Sequence, residues 1–278
     1  MRAEPRASGP VTPAVRAQEQ HGSPSTQDLA DDELLEQACP LVRDLGWRFY
    51  FAPATLERGD ELGLDGSQFY FLGRGGVLGD VDSRVVASAF GYFNPAHVAR
   101  SWDAGRAKVA PRDAARAYLA CCQDFGRENL GQVPDLEAFC VALEAVNEAA
   151  DPTGLALYAG ISAEPLATDL PARAMQLVTV LRELRGSAHL VALVCSGVAP
   201  VVAHFLNRPD AMAMFGWDPA DSPTPTDADR ERLACAERLT DQIVRPAYAV
   251  LDGPGRSALL DGLHAMCEVI APERHVQA

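Results

Sequence analysis

Prolines in this chain repeatedly open amphipathic runs instead of interrupting them. "PATLERGDELGL" begins at Pro53, "PRDAARAYLACCQDFGRENL" at Pro111 and "PDLEAFCVALEAVNEAA" at Pro134. A helix's first turn has no use for its backbone N–H groups, so proline is tolerated there and breaks the helix elsewhere. Period-two alternation is almost absent. "SQFYFLG" (67–73) and "LALYAG" (155–160) are the only stretches that suit a strand, and both are short. The pattern predicts a mainly α fold with at most short strands.

Further punctuation extends the helical reading. Residues 1–29 mix Pro, Ser, Gly, Gln and charge without periodicity and are expected to form a disordered tail. Order is expected from about Asp31, where "DDELLEQACPLV" puts acids on a first turn. Asn94 should cap a helix with Pro95 at its first position. In the second half, "PARAMQLVTVLRELRG" should stop at Gly186, with Ser187 capping "AHLVALVCSG". "APVVAHFLNR" follows one tight turn later, then "DADRERLACAERLTDQIV" before Pro246, and "GRSALLDGLHAMCEVI". The expected division is a tail (1–29), a first helical half (30–155) and a second (156–278).

A formal charge of −14, with Lys108 as the sole lysine, argues against duplex DNA as a partner. Affinity for DNA comes largely from Lys and Arg neutralising phosphates, and no basic stripe compensates here. The seven cysteines include no CxxC pair, and most lie in apolar contexts. They read as core thiols of a cytoplasmic protein, and no metal site is expected. No apolar run reaches membrane-spanning length. "GRGGVLG" (73–79) lacks the phosphate-loop Lys and the dinucleotide spacing, so no nucleotide cofactor is expected.

The densest polar phrase in an apolar region is "LRELRGSAH" (181–189). Two readings stand side by side. In one, Arg182 and Arg185 cap carbonyls and pair with Glu183, while His189 makes a single hydrogen bond. In the other, a bend at Gly186 turns these groups into a cavity between the halves. There His189 acts as general acid or base with Glu183 orienting it, and Arg185 clamps an anionic group. On that reading the catalytic set is His189, Glu183 and Arg185. The substrate would meet Arg182, Arg74, Tyr50, Tyr70, Phe93 and Asn94.

"FYFAPA" (49–54), "YFLGRGGVLG" (70–79), "AFGYFNPAHVAR" (89–100) and "LRELRGSAHLVAL" (181–193), in this order, resemble an actinobacterial family of helix-turn-helix proteins with tandem winged-helix-like halves. The resemblance implies a fold and brings no established activity. Leu184 and Gly46 stand where the family pattern has histidines, and Ser187 where it has an aspartate. After "MFGW", "DPADSPTPTDADRERL" jumps almost directly to the last helix, so the second half is expected to have lost its wing region. The would-be reading helix "APVVAHFLNR" offers apolar side chains where base readout needs polar ones. "NPAHVARSW" offers His97, Arg100 and Ser101. The expectation is a small-molecule-binding protein, an enzyme or accessory protein of specialised metabolism that works without cofactors. The alternatives are a ligand-responsive regulator and a structural or partner-binding protein.

Overall fold

A computed structural model of the protein describes residues 26–272. Along them run twelve α-helices, with no strand among the described residues. The first six are α1 (Thr26–Leu45), α2 (Pro53–Glu61), α3 (Gly66–Gly75), α4 (Ser83–Ala89), α5 (Pro95–Arg106) and α6 (Pro111–Asn129). The others are α7 (Leu136–Ala149), α8 (Ala156–Ser162), α9 (Leu170–Ser196), α10 (Pro200–Asn207), α11 (Asp227–Tyr248) and α12 (Gly253–Ile270). The fold is mainly α. Residues 1–25 of the expected tail lie outside the described residues, and residues 26–29 already belong to α1.

Proline occupies the first turn of α2, α5, α6, α9, α10 and α12. Asn94 caps α5 as expected, its side-chain oxygen accepting from the Ala96 N–H at 2.9 Å. Pro134 does not open α7: Asp135 takes a left-handed φ of 50°, so the helix starts at Leu136. Pro246 lies inside α11 instead of following it.

Both candidate strands are helices. "SQFYFLG" lies in α3, which an Asp65–Gln68 capping box opens. Its consecutive Phe69, Tyr70, Phe71 and Leu72 are all buried because α3 lies between α5 and α6. A helix enclosed on several sides needs no polar face and loses its helical periodicity. "LALYAG" lies almost wholly in α8, against α9.

The largest departure concerns Gly186. Helix α9 passes through it without a break, 27 residues from Leu170 to Ser196, about 40 Å long. It packs against α1, α6, α7, α8, α10 and α11, and residues 174–181 are buried on every side. That tertiary enclosure outweighs the roughly 1 kcal/mol helix cost of one glycine. Ser187 is therefore an interior residue, not a cap. The helix ends instead at Gly197, whose φ of 69° gives the left-handed turn that closes a helix.

One buried apolar cluster extends from Leu34 to Ala271, and a smaller one joins Ala192, Leu193, Val198, Ala203, Leu233 and Ala236. Gly73 and Gly76 let the end of α3 press on α6. A Cβ at Gly73 would lie 2.4 Å from Tyr118 Cγ, and one at Gly76 only 2.0 Å from the Pro111 carbonyl oxygen. Gly73, Gly75 and Gly76 of "GRGGVLG" thus serve close packing, while Gly79, with a φ of 88° and open space around it, makes the turn.

Candidate functional site

With α9 straight, its polar residues do not share one cavity. They form two separate knots, because successive helix residues point about 100° apart.

The first knot surrounds Glu183, which is 3% exposed. Its Oε1 accepts from Tyr50 Oη at 2.8 Å and from Arg182 Nη1 at 2.8 Å. Arg74 Nη2 donates to both carboxylate oxygens at 2.8 Å. Arg74 Nη1 also bonds Tyr70 Oη, and Arg182 Nη1 reaches Tyr50 Oη at 3.2 Å. The Arg74 guanidinium lies 4.8 Å from the Tyr70 ring centre and 4.6 Å from that of Phe90. Burial pushes the Glu183 carboxyl up, but Arg74, Arg182 and the Tyr50 hydroxyl outweigh it and hold it below its usual range. The close approach depends on Gly46, where a Cβ would stand 2.8 Å from Arg182 Cβ.

The second knot surrounds His189 and Arg185, facing α11. Arg185 Nη2 donates to Glu237 Oε2 at 3.1 Å and to Asp241 Oδ1 at 3.2 Å. His189 Nδ1 lies 2.8 Å from Thr240 Oγ1, and its Nε2 lies 3.6 Å from Glu237 Oε1. The Thr240 hydroxyl donates to the Ala236 carbonyl at 2.7 Å, so its oxygen accepts from Nδ1–H. The ring stacks on Tyr92, centres 6.2 Å apart. Burial lowers the His189 pKa, which favours the neutral ring. Cys39, beside Arg185, is pushed up to about 11 by burial. Glu237, Thr240 and Asp241 were missed in the sequence, although their i, i+3, i+4 spacing puts them on one face of α11.

Glu183 therefore does not orient His189: the three polar partners of Glu183 are Tyr50, Arg74 and Arg182, and those of His189 are Thr240 and Glu237. Arg182 pairs with Glu183 as the first sequence reading has it, whereas Arg185 binds α11 carboxylates, not carbonyls. Phe93 packs among rings, 5.7 Å from Tyr70 and 4.1 Å from Phe215. Asn94 is a helix cap. Nor do these groups open on a cavity of ligand size. The space beside Tyr50 and Arg74, bounded also by Tyr118, Gln176 and Thr179, measures about 20 Å³, room for about one water. Ion pairs and aromatic rings fill the rest.

A larger space lies elsewhere. A cleft of about 330 Å³ opens between α7, α9 and α11, lined by Ala149, Ala150, Asp151, Thr153, Leu155, Leu184, Ile243, Val244, Pro246 and Ala247. Its floor of Leu155, Leu184, Val244 and Ala247 is buried. Among the described residues, no group of three or more His, Cys, Asp or Glu is placed to hold a metal ion. No single helix among them is long and apolar enough to cross a membrane. Cys195 and Cys235 are exposed, in contrast to the buried Cys39, Cys122, Cys140 and Cys267.

Two helix–turn–helix units are recognisable. In the second, α9 and α10 are bent by 115° across the three residues Gly197–Ala199, within the geometry of such motifs. The first joins α4 to α5. Each turns much of its second helix inward. In α5, Ser101 is buried and bonds Ser67 Oγ at 2.8 Å. His97 lies under Gly216, where a Cβ would stand 2.4 Å from its own, and the Asn94 N–H donates to the Phe215 carbonyl at 2.9 Å. Of His97, Arg100 and Ser101, Arg100 alone is exposed. In α10, Ala203 and His204 are buried, and the His204 ring centre lies 3.9 Å from that of Phe215.

A mainly α-helical protein with helix–turn–helix units is the class these features define. The chain belongs to a helix-turn-helix family, whose model matches residues 36–277. No curated protein and no solved structure matches it.

Proposed function

We propose that the protein binds a small molecule in the cleft between α7, α9 and α11, and that it does not read duplex DNA. The cleft is the observation that carries this reading. Its volume of about 330 Å³ falls within the ~300–1,000 Å³ of ligand sites, and an apolar floor with few polar groups at the rim suits one. Against DNA readout stand the charge of −14, the burial of Ser101 and the cover over His97, and the apolar character of α10. A catalytic role for His189 finds no support here, since its ring borders neither space.

The 115° bend between α9 and α10 favours a second reading, a ligand-responsive regulator. Residues of α9 and α11 line the cleft, and both helices also pack on α10.

The test is thermal stabilisation across a panel of metabolites, with the wild type and Ala150→Trp side by side. Ala150 is half-buried at the cleft, so the indole fills the space without entering the core. A ligand present at a hundred times its Kd stabilises by about 2.7 kcal/mol. The expected result is a compound that raises the Tm of the wild type and not of Ala150→Trp. Equal responses of the two proteins, or salt-sensitive submicromolar binding to duplex DNA, would overturn the reading.

A further inference from the structure

The chemistry around the cleft mouth is one-sided. Its lining contains no Arg, Lys or His, and its one ionisable side chain is Asp151. Asp151 accepts from the Thr153 N–H at 2.9 Å, a bond that favours its ionised form. The cleft also borders the C-terminus of α7, where Ala149 and Ala150 line it. The last carbonyls of a helix lack intrahelical partners and carry about half a negative charge. Basic side chains commonly offset that charge, but the last turn of α7 has none and holds Glu148 instead.

Helix α11 brings no free cation to the lining. Pro246 lines the cleft and has no N–H to give the Gln242 carbonyl one turn back. The nearest guanidinium on that helix, Arg245, is bound to Asp32 of α1. Glu144, one turn earlier on α7, is held by Arg173 at 3.1 Å, so that pair is closed. A carboxylate and a helix C-terminus with no basic side chain in its last turn thus border an apolar floor.

We propose that the cleft takes an apolar amine, its hydrocarbon or aromatic body on Leu155, Leu184, Val244 and Ala247 and its ammonium at the mouth against Asp151 and the α7 terminus. This rests on the reading of the cleft as a ligand site and names the ligand's chemical class. A carboxylate or phosphate of the same size meets repulsion from both, and a neutral alcohol meets neither repulsion nor charge attraction.

Tryptamine, tryptophol and indoleacetate share one ring system and differ in the polar end, so calorimetric titration of the full chain with each isolates the charge. Tryptamine is expected to bind at least about tenfold more tightly than indoleacetate, with tryptophol between them. Raising the salt should weaken tryptamine alone. Asp151→Asn keeps the acceptor for the Thr153 N–H at an exposed position. It should reduce tryptamine affinity about three- to tenfold and leave tryptophol unchanged. Equal affinities, or a preference for indoleacetate, would overturn the amine inference while leaving the cleft a binding site. Binding of none of the three, with Ala150→Trp indistinguishable from the wild type, would remove the cleft as a site and the proposed function with it.

Discussion

Replacing Glu183 by Gln keeps the side chain's shape and removes its charge, which makes it the sharpest probe of the first knot. Glu183 is the shared counter-ion of Arg74 and Arg182, whose side chains are 10% and 25% exposed. Unit charges about 4 Å apart at an effective dielectric near 20 attract by about 4 kcal/mol, so the two pairs together gain about 8. Most of this offsets the desolvation of buried Glu183 and the two largely covered guanidiniums. The neutral variant keeps the desolvated guanidiniums and loses their compensation, a change that typically costs about 3–5 kcal/mol. For a chain of this size that lowers the Tm by about 10 °C.

The linkage fixes the pH dependence. The folded-state pKa of Glu183 lies below the usual 4.5. Its contribution is therefore fully present above about pH 5 and is lost as pH falls through the usual value towards the folded one. Chemical denaturation of the wild type and Glu183→Gln from pH 7 to pH 3 should give a constant gap that narrows below about pH 4.5. Adding Arg74→Met should restore part of the stability, because an uncompensated charge goes with it. A gap below about 1 kcal/mol at pH 7, or one that widens in acid, would refute the reasoning.

Gly186→Ala should stabilise the protein by up to about 1 kcal/mol, since the position is inside a continuous helix and a Cβ there meets nothing within 4 Å; a loss in urea unfolding would show a break that α9 lacks. Gly76→Ala should destabilise by more than about 1 kcal/mol, because its Cβ would meet the Pro111 carbonyl oxygen at 2.0 Å; an unchanged Tm would show that α3 and α6 can part. His189 has a lowered pKa, so the unfolded chain binds its proton first. Its share of stability is complete above about pH 6.5 and is lost as pH falls below that value. His189→Gln should therefore flatten the fall in stability between pH 7 and pH 5, read by denaturation at each pH, and an unchanged slope would contradict it.

Helix starts were legible in the sequence because capping and proline chemistry are local: Asn94–Pro95, Pro53 and Pro111 act within one turn. What enclosure decides was not legible. The aromatic run 69–71 reads as a strand when hydrophobic pattern alone is consulted, yet it is helical between α5 and α6. Gly186 reads as a stop, yet contacts along the whole of α9 carry the helix through it. The continuity of α9 through Gly186 also decides the site. A bend would have gathered Arg182, Glu183, Arg185 and His189 around one space, and the straight helix sends them to different neighbours. The prominence of the phrase was still informative: each of its four charged or imidazole side chains has a specific buried or half-buried partner. Their hydrogen-bond partners on α11 and α3 lie 51–56 and 109 residues away in sequence, beyond the reach of any local pattern.

The order Glu183, Leu184, Arg185 gives the straight helix a consequence of its own. Turning about 100° per residue, these side chains meet three different surroundings: the Tyr50–Arg74 knot, the cleft, and the carboxylates of α11. Leu184, on the cleft floor, thus stands between two ionic knots that fix the rotation of α9. A buried ion pair such as that of Glu183 adds little net stability, and its best-attested effect is to select one register among alternatives. Rotating α9 by even part of a residue's turn would pull Glu183 from Arg74 and Arg185 from Glu237 together. A molecule entering at Leu184 is therefore resisted by a helix that cannot roll. On the proposed function, the wall that α11 offers at Ile243, Val244 and Ala247 would accommodate it. Movement of that wall would be carried along α11 to Glu237, Thr240 and Asp241, so a cleft ligand is expected to shift the NMR resonances of the His189 ring, and unchanged resonances would refute the coupling.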